Sequence, residues 1–199
     1  MRILIGLFVI LYIACQPKEV STFGKYIKKI DKNTVLFEDG NKLELDNCKT
    51  CKIIYLVRHA EKDTVPATNP ILTSEGYNRS YKLAQIFKST RLDAVYSTLY
   101  NRTMHTVDSL TNMKGLSTKI YQPKDIKTLS EELMSENNIN HVLVSGHSNT
   151  TPAFASTLMG EKQFEQGFDE SDYDNLLVIN VDSKGEKILY QLKYSSSEK

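Results

Sequence analysis

Cysteine is scarce in this chain, three among 199 residues, and where the three fall excludes most cysteine chemistry. Cys48 and Cys51 make one Cys-Lys-Thr-Cys pair. No second pair exists to complete a tetrahedral zinc site. The pair precedes a strand candidate, whereas a thioredoxin-like redox pair opens a helix. A short-loop disulfide, allowed in an oxidising compartment, and two idle thiols both fit. An excess of one charge is also missing: 25 Lys and Arg stand against 24 Asp and Glu, for a net charge of +1. There is no basic tail or stripe, so nucleic acid is not an expected partner. The apolar run over residues 3–14 is shorter than the ~20 residues a membrane-spanning helix needs. No internal repeat and no cluster with metal-ligand spacing occurs, so neither a metal nor another cofactor is expected.

What is present begins with a leader. Arg2 gives a short positive start, an uncharged apolar stretch follows, and Cys15 comes directly after Ala14. The stretch has the length of a secretory signal core. Leu11-Tyr12-Ile13-Ala14-Cys15 resembles a bacterial lipobox, which implies cleavage before Cys15, lipidation of Cys15 and a cell-envelope location. An ordinary signal peptide or an uncleaved anchor is the alternative. Cleavage would remove Arg2 and leave the mature chain without net charge.

The expected organisation is a leader over 1–15, a tether over 16–24, a small β appendage over 25–50, a main α/β domain over 51–194 and a flexible tail over 195–199. In the appendage, residues 26–30, 34–37 and 43–45 read as strands, with Asp39-Gly40 as a hairpin turn. It is too short for a core of its own and should pack on the main domain.

From residue 52 onward strand and helix patterns alternate, which implies a mostly parallel sheet flanked by helices. Residues 53–57 are five apolar residues rich in β-branched types, a buried strand. Thr73 reads as a helix N-cap, and Tyr77, Tyr81, Ala84 and Phe87 step at helical spacing as an apolar face. Helices are also expected over 101–113 and 126–136, and one with Pro152 as its first residue. Strands are expected over 93–97, 118–121, 141–145, 176–181 and 187–194, the last two antiparallel.

Chemistry gathers at the strand ends, where open α/β sheets bind ligands. Arg58-His59-Ala60-Glu61 follows the first strand. Leu72-Thr73, Gly76 and Arg79 open a helix. Ser97 ends another strand, with Arg102 and Thr106 beyond it. Ser145-Gly146-His147-Ser148 ends a third. Arginines bind phosphate oxygens bidentately. A neutral imidazole can act as a nucleophile, and neighbouring arginines favour that neutral form.

In their order, these pieces closely resemble the histidine phosphatase superfamily, with its phosphoglycerate-mutase-like fold, over about residues 52–181. The short interval between Arg102 and His147 is similar to that of the short phosphohistidine phosphatases. The resemblance implies a metal-independent phosphatase that hydrolyses a phosphomonoester or phosphoramidate. His59 and His147 would be catalytic, with His59 carrying the phosphoryl group. Arg58, Arg102 and His147 would bind its oxygens. A small phosphorylated molecule or phosphohistidine is the implied substrate. A mutase-type phosphoryl transferase and a non-catalytic anion-binding envelope lipoprotein are the alternatives.

The general acid is the open position. Asp125 is the first candidate, with Glu131 and Glu132 on a solvated helix face; Asp172 and Asp174 are more remote. His105 and His141 read as structural. Glu61 orients its loop or the histidine, or stands in solvent. Ser148, Asn149 and Thr150 line a pocket or merely start a helix.

Overall fold

The computed structural model describes residues 24–195. The leader, the lipidation site at Cys15 and most of the expected tether lie outside the described residues, as do residues 196–199.

A small antiparallel sheet comes first, β1 (Ile27–Asp31), β2 (Thr34–Phe37) and β3 (Lys42–Glu44), in the order β1-β2-β3. The main sheet is built from β4 (Lys52–Arg58), β5 (Ala94–Ser97), β6 (Thr118–Ile120), β7 (His141–Gly146), β8 (Asn175–Val181) and β9 (Lys187–Lys193), ordered β6-β5-β7-β4-β8-β9. β6, β5, β7 and β4 run parallel, and β8 is antiparallel to both of its neighbours, β4 and β9. The helices are α1 (Ser74–Ile86), α2 (Asn101–Lys114), α3 (Ile126–Ser135) and α4 (Thr150–Met159).

β4 sits between β7 and β8, and every one of its residues is buried. Its side chains alternate between the faces, as the pleat requires. Ile53, Tyr55 and Val57 join a core with Leu83 and Ile86 of α1 and Val107 and Leu110 of α2. Ile54 and Leu56 join the opposite core with Leu129 and Leu133 of α3 and Phe154 and Leu158 of α4. Each such aliphatic side chain contributes about 1.5–3 kcal/mol on burial.

The small sheet has no core of its own. Ile27, Ile30, Val35 and Phe37 are buried in the same core as Tyr55, Phe87 and Tyr194. Backbone bonds tie it to the main sheet: Lys193 N–H donates to Lys25 carbonyl and Gly24 N–H to Gln191 carbonyl. Cys48 and Cys51 are joined as a disulfide just before β4.

Two helix expectations are corrected. Tyr77 and Tyr81 do not face the core; they are 44% and 61% exposed. The buried face of α1 is Gly76, Arg79, Ser80, Leu83, Ala84 and Ile86. Polar closure sets this rotation. A Cβ at Gly76 would lie 2.1 Å from the Glu61 carbonyl oxygen, Arg79 pairs with Glu61, and Ser80 donates to the His105 carbonyl. Pro152 is the third residue of α4, since the helix starts at Thr150. A proline there still breaks no intrahelical bond, because the first four N–H groups have no partner within the helix.

Candidate active site

The strand order decides which loops meet. β7 lies between β4 and β5, so three parallel strands end side by side. Arg58 pairs in register with Gly146, and the His59 N–H donates to the Gly146 carbonyl at 2.9 Å. Ser97 pairs with Ser145, and α2 starts four residues after Ser97. His59, His147 and Arg102 therefore meet at one rim. They line a cavity of about 480 Å³ together with Lys62, Tyr100, Ser148, Asn149, Thr150 and Glu170.

The imidazole rings of His59 and His147 stand edge to face, 5.7 Å between centroids. His59 Nδ1 lies 2.8 Å from the Ala60 carbonyl oxygen. A carbonyl only accepts, so Nδ1 carries the proton and Nε2 keeps its lone pair. Burial lowers the His59 pKa to about 3, with Arg58, His147 and Arg102 lowering it further against the opposing bond to Ala60. Burial, then Arg102 and Arg58, lower His147 to about 4. Both rings are neutral at pH 7.

His147 is held by Thr98, whose Oγ1 is 3.0 Å from Nε2, and by Thr150, whose hydroxyl accepts the His147 N–H. Arg102 Nη2 makes a long 3.4 Å approach to His147 Nδ1, and its guanidinium lies over the Tyr100 ring at 4.5 Å. Arg102 Nε is buried without a partner. The Arg102 side chain lines the cavity.

Arg58 is placed differently from Arg102. It is fully buried and does not line the cavity. Nη1 donates to the carbonyls of Asp169 and Asp172 at 2.8 and 3.1 Å, and Nη2 to the Glu170 carboxylate at 2.8 Å. The Tyr173 ring covers it at 4.1 Å. As it stands, Arg58 ties down the loop between α4 and β8 and adds positive potential behind His59.

The expected acids do not reach the cavity. Asp125 and Glu132 line a separate depression with Tyr96 and Tyr121. Asp172 and Asp174 pair with Lys193 at 3.2 and 3.0 Å, and Asp174 also accepts from Tyr26. The carboxyl group that does line the cavity is Glu170. It lies in an acidic run, Asp169 to Asp172, which was the available signal. Its hydrogen bond from Ser148 and the charges of Arg58 and Lys62 hold its pKa down. Lys62 and Tyr100 are further lining residues; Tyr100 lies within the Ser97 to Arg102 segment but carries no role legible from sequence.

The remaining candidates sort cleanly. Glu61 makes a bidentate pair with Arg79, and Arg79 also donates to the Tyr194 carbonyl, so Glu61 is fastened, not solvated. The Thr73 hydroxyl accepts the Gly76 N–H as an N-cap. Thr106 accepts from Ala60 N–H and donates to the Arg102 carbonyl, joining the two site loops. His105 stacks with Tyr77 and, like His141, is away from the cavity. Among the described residues no group of three or more metal-ligating side chains occurs.

Comparison with known proteins bears on the fold. The family model of the histidine phosphatase superfamily (branch 1) matches residues 54–126. No curated protein matches the chain. Among solved structures it is similar to the protein histidine phosphatase SixA complexed with tungstate, at 17% identity and TM-score 0.58, over 71% of this chain and 96% of that one. It is also similar to a mycobacterial glucosyl-3-phosphoglycerate phosphatase, at 11% identity and TM-score 0.56, over 73% and 100%. A phosphoserine phosphatase from Entamoeba histolytica, in complex with 3-phosphoglyceric acid, matches at 14% and TM-score 0.52, over 69% and 94%. At these identities the likeness is one of fold. The α/β architecture of this chain is shared with these phosphatase structures, and residues 54–126 match the branch 1 model of the histidine phosphatase superfamily.

Proposed function

We propose that the protein is a phosphatase that works through a phosphohistidine on His59. The observation that carries this reading is the bond from His59 Nδ1 to the Ala60 carbonyl. It commits the proton to Nδ1 and turns an unprotonated Nε2 into the group available for attack. Burial among cations keeps that ring neutral over the physiological range.

The reaction then runs in two displacements. The Nε2 lone pair attacks phosphorus, and the bond from phosphorus to the leaving oxygen or nitrogen breaks with its electron pair. The leaving group takes a proton from solvent. Water next attacks the phosphorus, the phosphorus–nitrogen bond breaks back to Nε2, a proton passes to solvent, and orthophosphate leaves. Charge on the transferring oxygens is met by Arg102 and Lys62, with the His147 ring beside them, the positioning and neutralisation that dominate phosphoryl transfer. The tungstate in the SixA neighbour, a tetrahedral oxyanion, is consistent with a pocket of this kind. No step needs a metal.

Glu170, the carboxyl group among the lining residues, is held in its ionised form and is a poor proton donor. That favours substrates whose leaving group departs without strong protonation, such as phosphoramidates and aryl phosphates. The ionised state of Glu170 also supports the phosphatase reading over a mutase, which must return a phosphoryl group to an alkyl alcohol.

The test is hydrolysis of p-nitrophenyl phosphate and of a phosphohistidine peptide by the purified domain in excess chelator, beside His59→Ala. Turnover that survives the chelator and is lost in the variant is the expected result. Phosphate binding without turnover on either substrate would show a binding module instead. Loss of activity in chelator would overturn the metal-free route.

The leader motif supports a second proposal, that the enzyme is exported and anchored to the envelope by lipid on Cys15. Metabolic labelling with a radioactive fatty acid is expected to mark the wild type and not Cys15→Ser. Equal labelling would refute it.

A further inference from the structure

The anion site already holds an anion, and it belongs to the protein. The Glu170 carboxylate accepts from Arg58 Nη2 at 2.8 Å and from Ser148 Oγ. Its charge is felt at Arg102, and Lys62 in turn acts on it. A single carboxylate thus stands among the three cations that a phosphoryl dianion would seek. We propose that Glu170 is a displaceable internal anion that competes with the substrate phosphoryl group for this cluster and so sets the affinity and selectivity of the pocket. This proposal rests on the reading of the cavity as a phosphoryl site.

Three features suit Glu170 to leave. Its side chain is 76% exposed, so swinging into water costs little packing. Its loop is held by other bonds: the Asp169 and Asp172 carbonyls stay on Arg58 Nη1, and Phe168 N–H stays on the Ser148 carbonyl. The backbone need not move when the carboxylate does. Arg58, by contrast, is wholly buried, and a buried charge requires a counter-ion. Glu170 meets that need in the empty pocket, and an incoming phosphoryl oxygen meets it in the filled one. Phosphate monoanions and dianions carry enough charge to drive the exchange. Neutral esters and carboxylates gain nothing over the resident group, so the pocket discriminates against them.

The experiment is calorimetric titration of the mature protein with orthophosphate. Glu170→Gln removes the competing charge and is expected to tighten phosphate binding about 10-fold. Glu170→Asp is the gentler variant. It keeps a carboxylate in the loop but draws it back from Arg58, and is expected to tighten binding about 3-fold. In both variants phosphate should raise the melting temperature more than it does in wild type, because the resident carboxylate at Arg58 is lost or withdrawn. Wild-type binding with equal or weaker binding in both variants would overturn the proposal while leaving the phosphoryl pocket intact. If neither wild type nor variants bind phosphate, the phosphoryl reading itself fails, and this proposal with it.

Discussion

His59 Nδ1 points at the carbonyl oxygen of its own neighbour, Ala60, 2.8 Å away. The bond sets the tautomer, and burial makes protonation of the other nitrogen costly. Long-range proton–nitrogen NMR is therefore expected to show His59 as the neutral Nδ1–H form from pH 8 down to pH 5. A His59 resonance that titrates near pH 6.5 would contradict it.

The same shifts make stability depend on pH. For His59 and His147 the folded pKa is about 3 and about 4, against 6.5 unperturbed. Between those values and 6.5 the unfolded chain binds more protons than the folded one. Stability is therefore full above pH 6.5 and falls as pH drops, by up to about 1.4 kcal/mol per pH unit for each ring. Urea unfolding at pH 7 and pH 5 measures this. His147→Gln should flatten the slope.

Glu61 and Arg79 are both well covered, at 13% and 8% side-chain exposure, and 2.6 Å apart. Removing either partner leaves a buried charge unmatched. Arg79→Ala or Glu61→Ala should each cost about 3–5 kcal/mol, and the double variant less than the sum of the two. Chemical denaturation of the four proteins tests this; additive losses would mean that the pair is not coupled.

Arg58 and Arg102 should separate by phenotype. Arg102→Ala removes a cation that lines the cavity and should weaken phosphate binding about 10- to 100-fold with little loss of stability. Arg58→Ala cuts the ties to Asp169, Asp172 and Glu170 and should weaken phosphate binding as well, but with a loss of about 3 kcal/mol or more in unfolding free energy that Arg102→Ala does not show. Titration calorimetry and denaturation on both variants would show whether the roles divide this way.

The Cys48–Cys51 bridge closes only a short loop, at the end of β4 opposite His59. The chain-entropy relation gives such a loop about 2 kcal/mol. Replacing both cysteines with serine should cost no more than that and leave phosphate binding unchanged. A loss of binding would show coupling along β4 that the packing does not suggest.

Much of this arrangement was legible as letters. The apolar run of β4 reads as a doubly buried strand because no alternation interrupts it, and it is one. Helix α1 starts where Thr73 can cap it. Its buried face was not legible, since hydrophobicity alone selects Tyr77 and Tyr81, while the face that packs holds Gly76, Arg79 and Ser80. Those residues bury only because Glu61 and the His105 carbonyl are there to satisfy them. The same limit hid Glu170. Nothing in its local pattern separates it from Asp169 or Asp172, and only the path of the loop from α4 to β8 brings it against Arg58.

Local order in the chain determined the strands, the caps and which side chains sit at strand ends, because these depend on neighbours a few residues away. Which cation faces the cavity, which carboxylate meets it and which tautomer His59 takes depend on atoms that only folding brings together. His59 and His147 are 88 positions apart in the polymer, yet each directly follows one of two adjacent, hydrogen-bonded strands. Electrostatics at such range follows distance in space, and sequence does not encode that distance residue by residue.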